Sequence, residues 1–239
     1  MRFHWLVRVL RRRPAAVVRP SELVPAEPPP GARVRLRVLD RSDRLEFLAL
    51  ARESRDLHRP WTYPPERGDQ FEELYARSRR EDFVCLLACP IDDDSIIAGV
   101  FTISQIFRGA FQSAYLGYYA HQRHARRGLM REALEQVLDH AFGPLGLHRI
   151  EANIQPGNSA SIALARGAGF RLEGFSPRYL LIGGQWRDHE RYAITAEERA
   201  AARAAAAGER EATIEEPAPS SERATTIEEP AAPSERAAT

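Results

Sequence analysis

The sequence predicts an α+β domain, and three observations carry that reading. Between residues 32 and 195, apolar positions switch repeatedly between a period of two and the helical period. Two pairs of strand-like runs are adjacent and joined by turn signals, which makes hairpins of them. One flank of this stretch is broken by prolines, and the other is too poor in large apolar side chains to build a core. A domain of about 150 residues buries roughly two thirds of the surface that its unfolded chain exposes, so a single self-sufficient core fits the length.

The elements follow in order. Pro14, Pro20, Pro25, Pro28, Pro29 and Pro30 with Gly31 exclude regular structure, so residues 1–31 read as a basic segment followed by a linker. Val34, Leu36 and Val38 alternate with Arg33, Arg35 and Arg37 as in a half-buried strand. Ser42 or Asp43 can cap a helix bearing Leu45, Leu48 and Ala49, and a second helix covers residues 71–80 after the Pro-rich loop 59–68. Residues 83–89 and 96–103 pair as a hairpin across the polar turn 91–95. Its three aspartates read as a solvated turn, because a calcium loop needs a longer ligand series. A strand over 114–120 precedes a helix from near Gly128, on which Leu134, Val137, Leu138 and Ala141 form one stripe. Then come a strand (148–154), a short helix (159–166) and a strand (170–174). Runs 180–182 and 191–194 flank Gly183-Gly184, a strong hairpin signal.

Beyond residue 195 the composition changes. Thr195-Ala196-Glu197-Glu198 has the capping-box pattern, and the Ala/Arg run after it ends at Gly208, which reads as a solvated helix. Thr213-Ile214-Glu215-Glu216-Pro217 recurs as Thr226-Ile227-Glu228-Glu229-Pro230 in a segment read as disordered, so residues 196–239 form a solvated helix and an acidic repeat tail. Ten Glu and five Arg lie between Glu197 and the end, against six Arg and no acid in residues 1–20. These are two unlike solvated tails, or segments that dock on each other.

Composition removes whole classes of function. The 239 residues hold 34 basic and 33 acidic side chains, a formal net charge of +1, without the basic excess that nucleic-acid binding draws on. All 34 basic residues are Arg, so a Walker A loop, a pyridoxal Schiff base and a kinase strand lysine are excluded. The two cysteines, Cys85 and Cys89, lie in one apolar run and are too few for a disulfide framework or a zinc site. His121 and His124 lack a third ligand at useful spacing and read as exposed loop histidines, so no metal is expected. The first ten residues place most of their charge after the apolar stretch, unlike a signal peptide, and no run approaches a membrane span; a cytoplasmic location is expected.

The chemistry concentrates between Tyr115 and Ile194. An Arg- and Gly-bearing loop opens a helix, where free amides and the helix dipole favour phosphate oxygens, and Arg123, Arg126, Arg127 and Gly128 sit there. The motifs Gly117-Tyr118-Tyr119, Arg127-Gly128-Leu129-Met130-Arg131-Glu132-Ala133-Leu134, His148-Arg149-Ile150-Glu151-Ala152-Asn153, Asn158-Ser159-Ala160-Ser161, Gly169-Phe170 and Glu173-Gly174 occur in a fixed order. In that order they resemble the GNAT acetyltransferase superfamily. Tyr179-Leu180-Leu181-Ile182-Gly183-Gly184-Gln185-Trp186-Arg187-Asp188-His189, with Arg59-Pro60-Trp61 and Phe107-Arg108-Gly109-Ala110-Phe111, resembles its RimJ/RimL branch, most of all the RimJ group of ribosomal-protein-alanine N-acetyltransferases.

The resemblance covers residues 32–195 and implies a mixed, strongly twisted central sheet, splayed between two central parallel strands and flanked by helices, with acetyl-CoA in the gap. It implies that backbone of Tyr118, Tyr119 and Ala120 pairs with the pantetheine arm, and that Arg123, Arg126, Arg127, Gly128, Leu129 and Met130 cradle the pyrophosphate. Asn158 corresponds to the asparagine that bonds the cofactor arm, and Ser161 to the hydroxyl that donates to sulfur. Arg126 stands where glycine is usual, so its backbone has to adopt the cradle geometry despite a side chain. Trp61 and Trp186 would flank the acceptor. Direct attack by a neutral amine needs a proton acceptor and a donor for the leaving thiolate, but no covalent nucleophile. Glu151, Glu173 or a water relay are the alternatives for the base, and Tyr118, Tyr119 and Tyr179 for the acid. Arg187-Asp188-His189 makes cross-strand pairs or faces the substrate. The implied activity is acetyl transfer from acetyl-CoA to the α-amine of a protein N-terminus, a ribosomal protein being the leading acceptor. A small-molecule amine acetyltransferase and a non-catalytic acyl-CoA sensor are the alternatives.

Overall fold

The computed structural model describes residues 28–215, with side chains through residue 206. The basic segment and acidic repeat therefore lie largely outside the described residues. Seven strands form one sheet in the order β1-β2-β3-β4-β5-β7-β6. They are β1 (Val34–Val38), β2 (Phe83–Pro90), β3 (Gly99–Phe107), β4 (Ser113–Ala120), β5 (Arg149–Ile154), β6 (Arg171–Ile182) and β7 (Gln185–Thr195). Every neighbouring pair is antiparallel except β4 and β5, which are parallel. The fold is the α+β, mixed-sheet arrangement that the family resemblance implies.

Both faces of the sheet are covered, but unequally. On one face α4 (Leu129–Phe142) and α5 (Ser159–Gly167) pack against Phe101, Ile103, Leu116, Ile150, Ala152, Tyr192 and Ile194. Leu134, Val137, Leu138 and Ala141 are fully buried, so the stripe read from the sequence is the helix's core face. Burial of each leucine or valine of that stripe contributes about 1.5–3 kcal/mol. On the other face α1 (Arg44–Glu53), α2 (Arg55–His58) and α3 (Gly68–Ser78) cover only the β2–β3 end, with Phe47 and Phe71 in edge contact at 5.4 Å. Strand β2 is thus buried on both faces, which is why residues 83–89 are apolar without alternation. Burial pushes the Cys85 thiol up to about 12 and the Cys89 thiol to about 11.

Several expected boundaries move. Asp40, rather than Ser42 or Asp43, caps the first helical turn by accepting from the Ser42 amide, while Asp43 is buried and takes both Arg37 guanidinium nitrogens at 2.7 and 2.8 Å. The runs 170–174 and 180–182 are one strand, β6, which passes Pro177 at a register shift where Arg178 takes φ 47°. Gly183 and Gly184 both have positive φ, as a two-residue hairpin turn requires. His121 is buried rather than exposed, its Nδ1 donating to the Ile97 carbonyl and its Nε2 facing Glu53 at 3.3 Å. The C-terminal helix α6 (Ala196–Glu215) starts with the Thr195/Glu198 capping box and runs past Gly208. Its first turn is not solvated throughout, because Arg199 is buried against Glu135 and Asp139 of α4. The chain divides into two units between Ala202 and Arg203, the second containing the outer part of α6.

His140 on α4 is buried with no partner for either ring nitrogen among the described residues, and burial pushes it down to about 4. The unfolded chain therefore binds a proton here from pH 6.5 downward, while the folded chain stays neutral until about 4. The stability this group contributes is complete above pH 6.5 and is lost on acidification through that window. Urea unfolding at pH 7 and pH 5 should show His140→Leu losing about 2 kcal/mol less between the two than the wild type.

Candidate active site

The site begins where the sheet opens. Strands β4 and β5 pair only at Ser113/Arg149, Ala114/Ile150 and Tyr115/Glu151, then continue to Ala120 and Ile154 without pairing. Main-chain groups on the facing edges are left without a ladder in that wedge. A cleft of about 380 Å³ fills it. Side chains enter from both faces of the sheet: Tyr118, Asn158 and Ser161 from the α5 side, and Tyr115, Asn153 and His189 from the other.

On the α5 side, Asn158 caps the helix by accepting from the Ser161 amide at 3.1 Å, and it also lines the cleft. The Ser161 hydroxyl donates to the Tyr118 hydroxyl at 2.8 Å, which in turn donates to the Ser161 carbonyl at 3.1 Å. Burial pushes the Tyr118 phenol up to about 12, keeping it protonated at neutral pH. Both hydroxyl hydrogens are thus engaged, so either group donates to a ligand only by turning from its present acceptor. Tyr119 points the other way, buried against Phe47 and His58, so only its backbone remains for a ligand. The Ala120 carbonyl already accepts from His58 Nε2 at 2.8 Å.

At the wide end, Gly128 precedes α4 in the left-handed conformation (φ 80°) and no side chain caps the first turn. Arg126 takes φ 60°, the strained geometry that the missing glycine foreshadows. Arg126 and Arg127 make no ion pair among the described residues, whereas Arg123 is held by Glu53 at 2.9 Å. The Leu129 and Met130 side chains pack on the core, leaving their amides at the helix start. An uncapped helix N-terminus flanked by two cations suits a pyrophosphate, so these residues fit a CoA-type ligand.

Neither carboxylate nominated as base lines the cleft. Arg149 binds Glu151 (Nε to Oε1, 2.9 Å) and also Glu173, which takes a second bond from Arg171 at 2.6 Å. The Arg149 hydrogen bonds hold the Glu173 carboxyl below the usual carboxylate range. Sequence alternation turns Glu151 away from the core correctly, but only the fold reveals the arginine waiting there. Trp61 lines the cleft and its carbonyl accepts from Gln155 at 3.0 Å; Trp186 stands exposed near the hairpin tip, opposite Leu181, and does not line it. His189 lines the cleft at 3% exposure, which its motif left open. Its Nδ1 donates to the Arg187 carbonyl at 3.0 Å, and its ring meets Tyr179 edge-on at 6.1 Å. Asn153 Oδ1 is buried without a partner among the described residues. No group of three or more His, Cys, Asp or Glu there could hold a metal ion.

A mixed sheet parted between its only parallel strands, with an uncapped helix start at the mouth, defines the class. Residues 33–171 match the family described as acetyltransferase (GNAT) domain, and the chain belongs to that family as an N-acetyltransferase. GNAT enzymes use acetyl-CoA. Among its relatives, the probable N-acetyltransferase YjcK of Bacillus subtilis (strain 168) is 34% identical over 69% of this chain and 94% of its own. The [ribosomal protein uS5]-alanine N-acetyltransferase of Escherichia coli (strain K12) is 43% identical over 43% of this chain and 53% of its own. Mycobacterium smegmatis RimJ, solved in complex with a CoA disulfide, superposes with a TM-score of 0.63 and 32% identity over 73% of this chain and 89% of that one. Vibrio cholerae spermidine N-acetyltransferase, solved with CoA and spermine, shares the fold at a TM-score of 0.61 and 23% identity over 70% of this chain and 98% of that one.

A Cβ at Gly128 would meet the positive-φ penalty and sit 3.2 Å from Arg33 Nη2. Gly128→Ala is expected to cost about 1–2 kcal/mol in urea unfolding, and an unchanged midpoint would show that the turn relaxes.

Proposed function

We propose that this chain moves the acetyl group of acetyl-CoA to the α-amine of a protein N-terminus, with a ribosomal protein as the leading acceptor. One observation carries the choice of acceptor: the cleft is lined by polar, aromatic and aliphatic side chains and, among the described residues, by no carboxylate. A polyamine brings several ammonium groups that need anionic partners, whereas a protein N-terminus brings one. An unperturbed α-amine, with a pKa near 8, is also partly neutral at pH 7, while a lysine amine near 10.4 is well under one per cent neutral. A site of uncharged groups therefore suits the α-amine. The likeness to a uS5-alanine enzyme and to RimJ supports the same reading.

In this reading the α4 amides from Gly128 to Met130, with Arg126 and Arg127, hold the phosphates, and Asn158 orients the cofactor arm. Acetyl-CoA supplies the activated acyl group. The Tyr118 hydroxyl, turning from the Ser161 carbonyl, donates to the departing sulfur, and Trp61 packs beside the acceptor. Among the described residues, no arginine lines the cleft to attract an unwanted carboxylate.

The test is thiol release with acetyl-CoA and Ala-, Ser-, Thr- and Met-starting peptides, their N-terminally blocked copies, a blocked lysine peptide, spermidine and amine antibiotics. Free Ala- or Ser-starting peptides should turn over and blocked copies should not. Turnover confined to spermidine, an antibiotic or lysine would overturn the acceptor assignment, and CoA binding without turnover would favour a sensor. Arg126→Ala with Arg127→Ala should raise the CoA dissociation constant at least tenfold by calorimetry; an unchanged constant would remove both from the phosphate site.

A further inference from the structure

We propose that His189 is the proton acceptor of this site, taking the acceptor ammonium's proton on Nε2. The inference deepens the acetyltransfer reading and rests on it. Its first support is the tautomer. A backbone carbonyl can only accept, so the 3.0 Å contact with the Arg187 oxygen requires that Nδ1 carry the ring hydrogen. Nε2 then carries the lone pair, and no hydrogen bond engages it among the described residues.

The second support is place. Along β7, Tyr192 and Ile194 face the α4/α5 core, so His189 faces the opposite side of the sheet and forms part of the cleft wall there. Asn153, whose Oδ1 lacks a partner, lines the same cleft. A buried unsatisfied oxygen and an imidazole lone pair with no hydrogen bond in one cleft are what an ammonium with several hydrogens would bind before losing one.

The third support is the surroundings. The titratable and charged groups near the ring are Tyr179 on β6, Tyr115 on β4, and Arg187, Asp188, Glu190 and Arg191 on β7. Asp188 is turned to the Arg178 amide, which donates to it at 2.7 Å. Glu190, next along β7, accepts from the Tyr192 hydroxyl at 2.6 Å, and Glu151 and Glu173 are bound to Arg149, so each of these carboxylates is engaged elsewhere. Burial lowers the imidazole from its ordinary 6.5, against weaker opposing effects of the Arg187 carbonyl and Asp188, so the base is neutral at pH 7.

The step balances as follows. One ammonium proton passes to Nε2, freeing the nitrogen lone pair, which forms the N–C bond. The C–S bond then breaks with its electron pair on sulfur. Sulfur takes the Tyr118 hydroxyl proton, the second nitrogen proton returns to Tyr118 through solvent, and His189 releases its proton to solvent.

The tautomer can be read without turnover. Long-range proton–nitrogen correlation spectra of the free full-length chain should show His189 as Nδ1–H, titrating below 6.5; an Nε2–H tautomer would overturn the proposal. With the best acceptor peptide, His189→Gln should lower kcat at least 100-fold, with the CoA dissociation constant within twofold of wild type. Imidazole should restore part of the activity of His189→Ala, and the acid limb of wild-type kcat should lie below pH 6.5 and be absent from His189→Gln. A kcat within threefold of wild type in His189→Gln would overturn the proposal alone and point to a water relay. A wild-type chain that turns over no acceptor would instead defeat the acetyltransfer reading and the proposal with it.

Discussion

The structure depends on an interrupted hydrogen-bond ladder. Two parallel strands in the middle of a sheet would ordinarily pair along their whole length, because a buried main-chain group left unmade costs about 1–3 kcal/mol. Here β4 and β5 pair for three residues and then part. The wedge is tolerable only because it is an open cleft, where water or an extended ligand can take up the amides and carbonyls. Everything else in the site is arranged around that opening: the start of α4 at its mouth, the capped start of α5 along one wall, and the β7 histidine on the other.

Charge is distributed so that the opening stays neutral. Arg149 gathers Glu151 and Glu173 into one partly buried network, which Arg171 extends to Glu198. Surface ion pairs add little stability one by one, but this network has a consequence for the chemistry. It engages the two carboxylates that the sequence nominated as bases, and the titratable groups that do line the cleft are imidazole and phenol groups whose shifts come mainly from burial.

The second, smaller core shapes one wall of the cleft. Helices α1–α3 cover only one end of their sheet face, and the loop after α2 carries Trp61 into the cleft wall. The same loop meets the β6–β7 hairpin, where a Cβ on Gly183 would fall 2.4 Å from the Tyr63 ring. His58, at the end of α2, donates to Ala120 at the end of β4 and so ties this core to the strand that borders the wedge.

The sequence by itself determined the α+β class, the core faces of β1 and α4, the Gly183-Gly184 turn and the Thr195 capping box, because each is written in local periodicity or in a residue type that one backbone conformation demands. Ordered motifs likewise carried the family, and the arginine in place of glycine at position 126 foretold a strained φ. Contacts between distant segments were decided only by the tertiary structure. No local pattern says that Arg149 reaches Glu173, that His121 is buried under Glu53, that Ser161 donates to Tyr118, or that His189 ends in the cleft while Trp186 does not. Period-two alternation tells which face of a strand a side chain takes, but not what the neighbouring strands and helices put opposite it, and on that partner depends whether a carboxylate or an imidazole is available to move a proton.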